Sequence, residues 1–157
     1  MYRVGIIGCG GIASSHHEGF TATGRAEVTA VYDVDAKAMN EKAQLWDAEP
    51  AADADELVES VDIVTICSPG FAHREYVEQA AGAGRHILCE KPVALNLKDA
   101  EAMRAAVRKA GVKFMVGFSQ RYDPPLVQMR EVQSEGRIGG TVSAWARLHA
   151  PASSERW

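Results

Sequence analysis

The stretch "GIIGCGGIA" places Gly8, Gly10 and Ala13 in the spacing G-x-G-x-x-[GA], directly after an apolar run. Each small residue has a physical task in that pattern. Gly8 permits a tight turn, Gly10 lets backbone amides approach a diphosphate, and Ala13 lets a helix lie close on a strand. Cys9, Gly11 and Ile12 fill the turn and the first helical positions, where a helix N-terminus offers unpaired N–H groups and partial positive charge. Asp33 closes the next apolar run, "EVTAVYD", twenty residues after Ala13. A carboxylate there can accept hydrogen bonds from both hydroxyls of an adenine ribose. It would repel a 2′-phosphate, and no Arg follows, only Val34 and Asp35. The pattern therefore favours NAD over NADP. The alternative for Asp33 is a helix cap or a turn residue.

A second constellation lies in "HILCEKPVALN". An apolar run ends in a carboxylate, an ammonium and a proline: Glu90, Lys91 and Pro92. By itself this fits a surface turn with a local ion pair, worth under about 1 kcal/mol. "SSHHEGF" offers His16, His17 and Glu18, but adjacent helical histidines do not face one ligand, so no metal site is expected. Cys9, Cys67 and Cys89 each sit in or just after an apolar run. An odd count without metal-ligand spacing reads as reduced thiols in a cytoplasmic protein.

These residues need elements to hold them. Nearly continuous Val- and Ile-rich runs cover residues 4–7, 28–32, 61–67, 86–89 and 113–116, as expected of parallel strands covered on both faces. Helical periods lie between them. Residues 96–109 form the clearest, with Asn96 as N-cap and Gly111 after the end. Asp123 before Pro124-Pro125 marks another helix start. Strand–helix alternation predicts an α/β doubly wound parallel sheet, the Rossmann arrangement. Residues 141–149 alternate instead, with Val142, Ala144, Ala146 and Leu148 on one face, which predicts a half-exposed antiparallel strand.

The chain has 157 residues, with 46% apolar and 24% charged. That is ordinary for a globular domain with a real core. A net charge of −4 argues against nucleic acid or an anionic membrane as partner. No apolar run approaches the roughly 18 residues of a membrane span, and the N-terminus lacks a signal-peptide layout.

Taken in order, "GIIGCGGIA", "VYD", "SPGFAHREYVEQAAGAGRHILCEKPVALN" and "GFSQRYDP" closely resemble the nucleotide-binding half of the Gfo/Idh/MocA family of sugar and polyol dehydrogenases. The likeness covers about residues 2 to 149, and Glu-Lys-Pro is its most specific element. The resemblance implies that Lys91 reaches a substrate hydroxyl or carbonyl oxygen as the catalytic group, and that Glu90 lies near the nicotinamide ribose. It implies that Ser68 and Pro69 pass beside the cofactor. Gly70 stands where family members often carry Asn. The resemblance implies that His73 contacts cofactor or substrate, with packing within its helix as the alternative. It further implies that Gln120 and Arg121 lie close to the nicotinamide amide, although Arg121 could equally brace the next helix against Asp123.

The resemblance also implies a second α/β domain bearing an Asp and an acid–base His. Residues 1–138 are then the dinucleotide-binding domain, and residues 139–157 begin an incomplete substrate or oligomerisation domain. The expected function is NAD-dependent hydride transfer with a sugar or polyol. The alternative is a non-catalytic dinucleotide-binding or assembly module. A bare edge strand recruits partners, so a homo-oligomer is expected.

Overall fold

The structure, a computed structural model, describes residues 1–147. The chain divides into two compact units, Met1–Phe118 and a second that begins at Ser119.

The first unit alternates strand and helix: β1 (Tyr2–Ile7), α1 (Gly11–Ala22), β2 (Ala26–Tyr32), α2 (Ala36–Trp46), β3 (Glu49–Pro50), α3 (Ala54–Ser60), β4 (Ile63–Ile66), α4 (His73–Gly82), β5 (His86–Cys89), α5 (Leu97–Ala110) and β6 (Phe114–Val116). All six strands pair in parallel, in the order β3-β2-β1-β4-β5-β6. This is the expected doubly wound Rossmann sheet. β3 is an addition: it is two residues long, and its Pro50 can be tolerated because the strand lies at the sheet edge.

Neighbouring residues on one strand point to opposite faces, so β1 feeds two cores. Ile7 packs with Leu57, Val64, Ile66, Val77 and Met103, while Ile6 packs with Val4, Ala13, Val31 and Ala43. That is why the strand sequences read as apolar without alternation. Asp35, Asp53 and Asn96 cap α2, α3 and α5 through their side chains. Gly111 ends α5 in the left-handed region, at φ +67°. The helix expected over residues 96–109 is thus present with its predicted cap and stop.

The second unit contains a 3-10 turn, Ser119–Tyr122, and α6 (Pro124–Ser134), which starts after Asp123. Residues 141–147 carry no regular structure, with Val142 and Trp145 exposed. The strand expected over residues 141–149 is therefore not formed in its described part, and Leu148 and His149 lie outside the described residues. A strand is held by its ladder, and residues 141–147 have no backbone ladder in this unit.

At the opposite end of β1 from the glycines, Asp62 accepts hydrogen bonds from the Arg3 amide (2.9 Å) and guanidinium (2.9 Å). These bonds lower the Asp62 carboxyl to about 2, the side-chain bond from Arg3 being the largest cause. A folded-state value below the ordinary one means that this clip stabilises fully above about pH 4. Its contribution is lost as pH falls toward 2. Urea midpoints measured at pH 4 and pH 2 should fall more for the native chain than for Asp62→Asn. An equal fall in both would remove Asp62 from the acid transition.

Candidate functional site

The sheet order reverses between β1 and β4, and ligands of such sheets bind in the crevice beyond the strand ends there. Gly8 leaves β1 at φ +97°, and its amide donates to the Tyr32 carbonyl at 2.8 Å. A Cβ on Gly8 would lie 2.5 Å from the Ser68 nitrogen and 2.6 Å from the Cys67 carbonyl carbon. The turn therefore passes against the backbone that leaves β4, and only glycine fits.

In this unit α1 and α4 are the helices whose N-termini lack a side-chain cap. They follow β1 and β4, the two strands that flank the reversal. Gly10 occupies the α1 cap position in an extended conformation, and a Cβ on Gly10 or Gly11 would meet nothing within 4 Å. No side chain caps or crowds the first turn of α1, so its first amides are left for an anion. The Ser68 hydroxyl oxygen is buried beside this turn without a hydrogen-bond partner among the described residues. A buried orphan hydroxyl calls for a ligand atom or water.

Asp33 is fixed from two sides. Its Oδ2 accepts the Cys9 amide at 2.6 Å and its Oδ1 accepts the Asp35 amide at 2.8 Å. It serves as a local turn residue and still has lone pairs for a ligand. A cavity of about 120 Å³ adjoins it, lined by Gly8, Tyr32, Asp33, Ser68, Pro69 and Tyr76 among others. The exposed apolar side chains of Val34 and Phe71 also line it. Apolar walls with one fixed carboxylate suit a flat heteroaromatic group joined to a hydroxylated one.

Glu90, Lys91 and Pro92 follow β5, with Glu90 only 9% exposed. The Glu90 amide extends the ladder by donating to the Ile66 carbonyl at 2.9 Å. Its carboxylate takes the Lys91 amide at 3.0 Å on Oε2 and lies 2.9 Å from His16 Nε2 through Oε1. The Lys91–Pro92 bond is cis. The Lys91 side chain is exposed and forms no ion pair among the described residues. The local ion pair conceivable from sequence is thus replaced by a Glu90–His16 pair.

Nothing in linear spacing points to His16, because its partner is 74 residues away. One signal exists. His16 lies three residues after Ala13, on the same helical face, and Ala13 is fully buried. His17 faces elsewhere and stacks on Trp46 with ring centroids 4.7 Å apart. Gly117 also carried no signal, yet a Cβ there would sit 2.6 Å from Glu90 Oε1.

His73 is 1% exposed. Its Nε2 lies 2.8 Å from the Ser68 carbonyl, and its Nδ1 lies 3.0 Å from that of Pro92. Carbonyl oxygens only accept, so each contact is a hydrogen bond when that nitrogen carries a proton. The ring bridges the loops after β4 and β5 and so holds both edges of the crevice. Gln120 and Arg121 lie exposed in the 3-10 turn of the second unit. No Arg121–Asp123 ion pair occurs among the described residues.

Sheet order, open helix and fixed acid together define a dinucleotide-binding Rossmann domain. The chain belongs to the Gfo/Idh/MocA oxidoreductase family, whose NAD-binding Rossmann model matches residues 2–118. It is 36% identical over 140 residues to myo-inositol 2-dehydrogenase of Thermotoga maritima, covering 87% of this chain and 42% of that protein. It is 34% identical over 122 residues to glucose-6-phosphate 3-dehydrogenase of Bacillus subtilis, covering 78% of this chain and 35% of that one. The WlbA dehydrogenase of Bordetella pertussis, solved with NADH and UDP-GlcNAcA, superposes with a TM-score of 0.83 at 28% identity. That match covers 88% of this chain and 43% of the other. The chain spans about two-fifths of the length of the relatives it matches.

All three cysteines are free. Burial, then the charge of Asp33, pushes the Cys9 thiol up to about 12, while burial and then Glu90 push Cys89 up to about 12. Burial is also the main cause that raises Cys67. Thiolate is the reactive form, so these groups are inert beside the site. Iodoacetamide at pH 8 should label Cys9 and Cys89 at least roughly a hundredfold more slowly in the folded chain than in urea. Labelling at the unfolded rate would show that either thiol is open to solvent as thiolate.

Proposed function

We propose that this chain binds NAD across the β1/β4 crevice and serves hydride transfer between the nicotinamide and a sugar or polyol. What carries the reading is the convergence at one place of an uncapped α1, an orphaned Ser68 hydroxyl and an anchored Asp33. A diphosphate at the amides of Gly10, Gly11 and Ile12 would satisfy donors that the protein itself leaves open. The adenine would fill the cavity between Val34 and Phe71, and its ribose hydroxyls would donate to Asp33. The fixed carboxylate disfavours a 2′-phosphate, and the neighbours Val34 and Asp35 supply no compensating cation.

When bound, the nicotinamide supplies the hydride acceptor or donor. The chain's own contribution to the chemistry is Lys91. As a carbinol gives up hydride, its oxygen loses a proton and gathers charge. An ammonium beside that oxygen stabilises the charge and can exchange the proton. The unpaired, exposed side chain of Lys91 suits this role, and the buried Glu90 and bridging His73 fix the turn from which it projects. Relatives named for inositol and for a sugar phosphate support a polyhydroxylated substrate.

Titration of the 157-residue chain should give NAD+ a dissociation constant at least roughly tenfold below that of NADP+, and Asp33→Ala should erase most of that preference. Tighter binding of NADP+ by the native chain would contradict the assignment of Asp33.

A further inference from the structure

Glu90 is the only buried carboxylate among the described residues. Burying a charge is costly unless it is partnered, and this one is provided for from three sides. His16 Nε2 lies against Oε1 at 2.9 Å, and the Lys91 amide donates to Oε2 at 3.0 Å. Gly117 leaves empty the space that any side chain would take from the carboxylate. His16 is itself largely buried, its side chain 13% exposed. The charge also reaches its surroundings: after burial, it is the next cause that raises both Cys67 and Cys89. Such an arrangement exceeds what a turn needs, since Pro92 and the His73 bridge already hold it.

We infer that the Glu90–His16 pair sets the preference of this domain between oxidised and reduced nicotinamide. The inference rests on the NAD reading above: with the adenosine at Asp33 after β2 and the diphosphate at the start of α1, the nicotinamide half of a dinucleotide lying across the crevice would extend over the ends of β4 and β5. The oxidised ring carries a positive charge. Reduction adds a hydride, one proton and two electrons, and leaves the ring neutral. A fixed carboxylate beside it therefore favours NAD+ over NADH, while the His16 imidazole held against that carboxylate at 2.9 Å offsets part of the effect. The phosphates, riboses and adenine are common to both forms, so their contributions cancel in the ratio of the two dissociation constants. His16 is a positioning and charge-balancing residue rather than a catalytic one, because it touches Glu90 and not the ring.

The test is the ratio of NADH to NAD+ dissociation constants for the 157-residue chain at pH 6, by calorimetry for NAD+ and fluorescence for NADH. Glu90→Gln keeps the size of the side chain and removes its charge, and should shift the ratio roughly tenfold toward NADH. That shift is equivalent to about 30 mV in the potential of the bound two-electron couple. His16→Gln leaves only a neutral amide donor for Oε1, and should shift the ratio several-fold toward NAD+. Circular dichroism checks that each variant folds, and His16→Gln alone carries the test if Glu90→Gln is insoluble. A ratio unchanged within twofold in either variant, or shifts in the same direction in both, would overturn the inference. Failure of the native chain to bind either form would instead remove the NAD reading, and the inference with it.

Discussion

At Gly8 two backbones meet with no room between them. The turn that leaves β1 runs so close to the chain leaving β4 that a Cβ would press on the Ser68 nitrogen at 2.5 Å. That contact fixes where α1 begins. It follows that α1 presents its first amides at the point where the sheet reverses direction. The same approach brings Ser68 and Asp33 to one cavity. A larger residue at Gly8 would push the turn off the sheet and separate these groups, in a conformation already unfavourable for a side chain.

Polar groups at the carboxyl ends of the strands are used unequally. Asp33 and His73 are occupied by backbone partners and act as fixed points. The amides at the start of α1, the Ser68 hydroxyl and the Lys91 ammonium are left open. Rigid groups surround uncommitted ones, which is the division of labour expected where a ligand must be oriented by a preformed site. The β1 clip made by Arg3 and Asp62 lies at the other end of the strand and contributes to stability alone.

The local part of this arrangement was legible in the sequence. The glycine spacing and the Asn96 cap act within a few residues, and Asp33 closes the apolar run that follows the glycines even though it binds the Cys9 amide 24 residues back, so order along the chain reveals all three. The continuous apolar runs betrayed a sheet buried on both faces. What stayed hidden was non-local or too short to carry a pattern. His16 and Glu90 meet across 74 residues, and Gly117 matters only because Glu90 points at it. β3 has two residues, one of them a proline, and no periodicity can announce it. Residues 141–147 alternate as a strand should, yet lack the ladder that would make them one. Alternation records which face a strand would bury, not whether a neighbour exists.

The central claim is that the open amides of α1 receive a diphosphate. Amide chemical shifts of the isotopically labelled chain, followed as NAD+ is added, test it most directly. The account predicts the largest shifts at Gly10, Gly11 and Ile12, saturating together with those of Asp33 and Ser68. Saturable binding that leaves these amides unmoved would contradict it.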